Sequence, residues 1–111
     1  MKQITGRELL IMAGSGAVPA PLLLDVREPW EFALAAIRID GVETRSMPVN
    51  SVPERLAELD PAQPVVCICH HGARSAQVVA FLEREGFVAV YNLAGGVDAW
   101  SAQVDPAVPR Y

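Results

Sequence analysis

The chain alternates short apolar runs with segments whose apolar positions recur at helical spacing. Thr5 precedes Leu9, Leu10 and Met12, and Gly14-Ser15-Gly16 closes the segment, which predicts a first helix. Leu22-Leu23-Leu24-Asp25-Val26 reads as a strand buried on both faces. Glu28-Pro29-Trp30-Glu31 carries Pro in the first turn and acids at the positive dipole end, the start of a second helix. A weaker strand is expected at Ile37-Arg38-Ile39, ahead of the turn residues Asp40-Gly41. Ser51-Val52-Pro53-Glu54 has capping-box spacing and predicts a short helix through Leu56 and Leu59, stopped by Asp60-Pro61. Val65-Val66-Cys67-Ile68-Cys69 is the clearest strand, being rich in β-branched residues and free of charge. Residues 75–85 read as a helix with Val78, Val79, Phe81 and Leu82 inward and Gly86 at its left-handed end. Val88-Ala89-Val90-Tyr91 is a last strand, Gly95-Gly96 a tight turn, and residues 97–103 a closing helix. Such alternation implies an α/β fold with a mainly parallel sheet covered on both faces, binding ligands at the carboxyl ends of its strands.

At 111 residues, with no repeat and no dividing linker, the chain is expected to form one domain over 1–111, with 104–111 as a tail. Nine Lys and Arg against 13 Asp and Glu give a net charge of −4, which argues against a nucleic-acid binder. The apolar runs fall far below the roughly 18–20 residues of a membrane span, so no membrane partner is expected. No secretory pattern opens the chain, and two cysteines two positions apart do not make a disulfide scaffold. A reduced, cytoplasmic setting is the expectation.

The best strand runs into Cys69-His70-His71-Gly72-Ala73-Arg74-Ser75, a short loop entering a helix. The first helical N–H groups lack partners inside the helix, and the dipole puts partial positive charge there. A loop curled around the Cys69 sulfur would turn successive amides inward as an anion nest. Arg74 adds a guanidinium fork suited to oxyanions. Together these should favour thiolate, and Cys69 is the expected nucleophile. The net charge of −4 does not offset this, because charges beyond ~8–10 Å are screened by physiological salt.

These residues resemble the rhodanese-like domains. Asp25-Val26-Arg27-Glu28 looks like that family's first signature, and the Cys69 to Ser75 stretch is similar to its active-site loop. Asn92-Leu93-Ala94-Gly95-Gly96-Val97-Asp98-Ala99-Trp100 matches its closing Gly-Gly-x-x-x-Trp segment. The likeness runs in order from about Thr5 to Trp100. It implies a central five-stranded, mainly parallel sheet with helices on both faces, and a sulfurtransferase whose Cys69 carries sulfur as a persulfide. The implied partners are a small-molecule donor such as thiosulfate and a cyanide or thiol acceptor, a protein acceptor among them, on a monomer or homodimer. No cofactor and no metal are implied. The amides of His70, His71, Gly72, Ala73, Arg74 and Ser75 would bind the charged sulfur, while Asp25 and Arg27 would pair beside the loop as structural support. Where the family often has His-Ile-Pro-Gly-Ala, this chain reads Ile39-Asp40-Gly41-Val42-Glu43.

Blander readings apply to several of these residues. Cys67 lies inside its strand and reads as core, and His70 and His71 read as solvent-facing loop residues. A zinc cluster of Cys67, Cys69, His70 and His71 would force four ligands from five consecutive positions, against the usual two separated pairs. Two rival functions remain. One is a non-catalytic binding module. The other is a phosphatase or arsenate reductase, whose loop needs Arg six positions after Cys, whereas Arg74 lies five after Cys69.

Overall fold

A computed structural model describes residues 1–111. In chain order the elements are β1 (Gln3–Ile4), α1 (Gly6–Gly14), β2 (Leu22–Asp25), α2 (Pro29–Leu34), β3 (Thr44–Ser46), β4 (Val65–Ile68), α3 (Ala73–Arg84), β5 (Val90–Leu93) and α4 (Gly96–Gln103). The five strands form one all-parallel sheet in the order β1-β5-β4-β2-β3. This is the expected α/β architecture.

Side-chain alternation along the strands builds two cores. Leu22, Leu24, Val65, Cys67 and Val90 face Val78, Val79 and Leu82 of α3. Leu23, Val66, Ile68 and Leu93 face Leu9 of α1 and Val97 and Trp100 of α4. Each fully buried Leu or Ile contributes about 1.5–3 kcal/mol, so both faces stabilise the fold. Cys69 shares strand parity with Cys67, so its side chain lies on the α3 side. The chain steps from β2 outward to β3 on one side and from β4 outward to β5 on the other. The carboxyl ends of β2 and β4 therefore flank the topological switch point, where open α/β sheets form a crevice.

Several expected elements moved. Thr5 does cap α1, in a reciprocal box with Glu8. Residues 37–39 form no strand: Ile37 is buried for packing, and Ile39 and Val42 make only an isolated bridge around the Asp40-Gly41 turn. The pairing strand comes later, as β3, in register with Leu23 to Asp25 of β2. The Ser51 capping box does not form, because the Ser51 hydroxyl donates back to the Pro48 carbonyl at 2.7 Å. Two 3₁₀ turns, Val49–Ser51 and Leu56–Glu58, stand in place of the expected helix. The last strand begins at Val90, which pairs with Val65, while Val88 is 75 % exposed.

Candidate active site

Cys69 follows β4 directly, at the crevice the topology creates. Two polar groups meet its Sγ: the Gly72 amide, which donates at 3.0 Å, and the Ser75 hydroxyl at 3.2 Å. Gly72 is left-handed, at φ +110°, and this turns its N–H back over the sulfur at the opening of α3. The expected ring of amides from His70 to Ser75 is thus narrower, since one amide and one hydroxyl carry the contacts to sulfur. Ala73, Arg74 and Ser75 form the first turn of α3.

The loop is held from behind by a second helix. Val97 and Asp98, in the first turn of α4, donate their amides to the carbonyls of Cys69 and His70 at 2.9 and 3.1 Å. Gly96 makes this approach possible. A Cβ at Gly96 would run into the Cys69 and His70 carbonyls, and its φ is +60°. Asn92 of β5 reaches the same loop: its Nδ2 donates to the Gly72 carbonyl at 3.1 Å, and its Oδ1 accepts from the Ser75 hydroxyl.

Asp25 and Arg27 form a buried ion pair, as the resemblance implied. Nε of Arg27 donates to Asp25 Oδ1 at 2.9 Å and Nη2 to Oδ2 at 2.6 Å. Its other donors go to the Ala35 carbonyl, the Glu31 carbonyl and the Tyr111 hydroxyl. Every donor of the guanidinium is thereby satisfied inside the protein.

Arg74 behaves otherwise than expected. Its fork is not open to an oxyanion but grips the Glu31 carboxylate through Nη1 at 2.6 Å and Nη2 at 2.9 Å. Glu31 is 3 % exposed, so a buried anion on α2 draws the guanidinium to itself. The Arg74 bond, supplemented by the Tyr111 hydroxyl, outweighs burial and holds the Glu31 carboxyl down at about 2. Glu31, Tyr111 and Asn92 were not singled out as site residues in the sequence. Only Asn92 carried a local signal, a polar residue inside an apolar strand.

Neither histidine ring hydrogen-bonds to Sγ. The His70 ring is stacked between His71, with centroids 3.9 Å apart, and Tyr111, at 4.0 Å. Burial, reinforced by His71, lowers the His70 pKa. Donor atoms of His70, His71 and Asp98 lie within 4.8 Å of one another, the one grouping that could converge on a cation. Both Asp98 oxygens are engaged by Arg110, at 2.9 and 3.1 Å. Cys67 sits in the core, where burial raises its pKa. The groove between Val49–Pro53 and α3 includes none of the cysteine-loop residues.

Residues 7–103 match the family model for the rhodanese-like domain. A sulfurtransferase of Allochromatium vinosum is 37 % identical over 87 residues, 78 % of either chain. The thiosulfate sulfurtransferase GlpE of Stutzerimonas stutzeri is 33 % identical over 99 residues, 89 % of this chain and 84 % of its own. Among solved structures, a rhodanese-like domain protein of Staphylococcus aureus superposes with a TM-score of 0.76 at 31 % identity, covering 90 % of this chain and 91 % of that one. Other relatives are longer. The chain spans 30 % of a chloroplastic rhodanese-like/PpiC domain-containing protein of Arabidopsis thaliana, to which it is 37 % identical.

Proposed function

The chain belongs to the rhodanese-like domain family, and from that premise we propose that it moves sulfane sulfur from a donor such as thiosulfate to a thiophilic acceptor through a Cys69 persulfide. The observation that carries this reading is the Gly72 amide donating to Sγ, with the Ser75 hydroxyl in reach beside it, at the start of α3. The Gly72 amide, fixed in advance, stabilises negative charge on sulfur without reorganising during the reaction.

In the first half-reaction the Cys69 thiolate attacks the outer sulfur of thiosulfate. A sulfur–sulfur bond forms to Sγ, the old one breaks, and its electron pair leaves with sulfite. In the second, cyanide or a thiolate attacks the outer sulfur of the persulfide. The bond to Sγ breaks and its pair returns to Cys69, releasing thiocyanate or an acceptor persulfide. The step needs no general base, because the leaving groups are anions of good stability. A small-molecule or protein thiol in a cytoplasmic setting is the acceptor this reading favours.

Incubation with thiosulfate is expected to add ~32 Da to Cys69, removable by cyanide and absent in Cys69→Ser. A protein that never gains the sulfur would be a binding module instead. Turnover of an aryl phosphate that needs Cys69, without sulfur transfer, would place it with the phosphatases.

A further inference from the structure

Asn92 is 2 % exposed, on a strand between β1 and β4, and a side-chain amide so placed must find partners for all its groups. Its Nδ2 donates to the Gly72 carbonyl at 3.1 Å and to Gln3 Oε1 at 3.2 Å. A backbone carbonyl only accepts, so the amide cannot be turned round without setting its own oxygen against it. Oδ1 therefore faces Ser75. The Ser75 hydroxyl has one proton and three acceptors in reach: Asn92 Oδ1, Cys69 Sγ at 3.2 Å and the Gly72 carbonyl at 3.3 Å. The Asn92 oxygen is the nearest of them. With the proton there, the Ser75 lone pairs face Sγ and can accept S–H from a neutral thiol.

An anionic sulfur has no proton to give, and the same lone pairs would repel it. The hydroxyl must then rotate about its Cβ–Oγ bond and donate to sulfur, leaving Oδ1 behind. We propose that Asn92 is a positioning residue that holds the Ser75 proton while the sulfur is neutral and yields it when charge develops on Sγ. The cycle visits both states. Sγ is neutral in the persulfide, and negative again once the acceptor has taken the outer sulfur. The proposal rests on Cys69 being the nucleophile. The other titratable groups around Cys69 are Cys67, His70, His71, Arg74 with its partner Glu31, Asp98 and Tyr111. None of them bonds to Asn92, and all stay constant in the comparison below.

The test is a double-mutant cycle of Asn92→Leu and Ser75→Ala, read as the pH of half-maximal thiolate absorbance, each protein corrected by its own Cys69→Ser form. With Ser75 present, removing the competing acceptor frees the hydroxyl for sulfur. Relative to its effect in the Ser75→Ala background, Asn92→Leu should then shift the midpoint down by about half to one pH unit. Any loosening of Gly72 occurs in both backgrounds and cancels. Equal shifts in the two backgrounds would overturn the proposal. Should Asn92→Leu fail to fold, the side-chain carbonyl ¹³C resonance of Asn92 serves in its place. It should move with the Cys69 titration by more in the wild type than in Ser75→Ala, and equal movement would equally overturn the idea. Thiolate absorbance needs neither donor nor acceptor, so this test can fail while Cys69 still gains sulfur, and the reverse.

Discussion

Two arginines flank the cysteine loop, and their partners give them different work. Arg27 spends every donor inside the protein, two of them on Asp25. Arg74 has a side chain 38 % exposed, yet both ends of its fork hold Glu31. Two cations thus face two carboxylates, Asp25 and Glu31, and no uncompensated positive charge is left for an anionic donor. Arg74→Ala is therefore expected to weaken thiosulfate and a neutral organic trisulfide by similar factors in steady-state assays. It should also cost about 1–3 kcal/mol of stability, below the figure for a fully buried pair because one partner is partly solvated. A loss confined to the anionic donor would return Arg74 to direct substrate binding. Local pattern pointed to Cys69, and the family resemblance to Asp25 and Arg27. Neither revealed that Arg74 meets a residue 43 positions earlier, or that Arg27 meets one 84 positions later. Contacts so distant in sequence leave no periodic trace.

The loop is shaped less by its own residues than by the element behind it. The first turn of α4 delivers two amides to the Cys69 and His70 carbonyls, and only a glycine at position 96 allows the backbones so close. Gly96→Ala adds a clash with backbone to the strain of a positive φ, together about 2–5 kcal/mol. Gly41 provides the control, since its φ is +78° but nothing lies within 4 Å of an added Cβ. Gly41→Ala should cost about 1 kcal/mol, strain alone. Thermal unfolding of both variants checks this, and equal losses would mean that close packing against the loop is not what requires Gly96. Element boundaries were legible where burial and pairing coincide, as in β2 and β4. They slipped where the two part company. Ile37 is apolar for packing without pairing, and Val88 is β-branched yet exposed. The two-residue β1 is too short for any alternation to register.

Across the whole molecule, one chain of charges and hydroxyls links parts that the core leaves separate. Asp25 ends β2, Arg27 follows it, Tyr111 returns from the tail, Glu31 stands on α2 and Arg74 opens α3. The Tyr111 hydroxyl joins the two ion pairs, accepting from Arg27 at 2.7 Å and donating to Glu31 at 2.8 Å. Val108 is buried in the core of the α1/α4 face, which anchors the tail that carries Tyr111. Such a network makes stability depend on acid in a defined direction. The Glu31 carboxyl is lowered from its ordinary 4.5 to about 2, chiefly by Arg74. Its contribution is therefore fully present above about 4.5 and is lost as pH falls through about 2. At neutral pH this is on the order of 2–3 kcal/mol, allowing for the partly solvated Arg74. Urea unfolding of the wild type and Glu31→Gln should differ by that amount at pH 7 and converge between about 4.5 and 2, because a protonated Glu31 and a glutamine present the same neutral group to Arg74. If the two proteins stay equally far apart across that window, the ionised carboxylate is not what binds α2 to the cysteine loop. The link would then lie in the stacking of Tyr111 on His70, whose rings are parallel to within 6°.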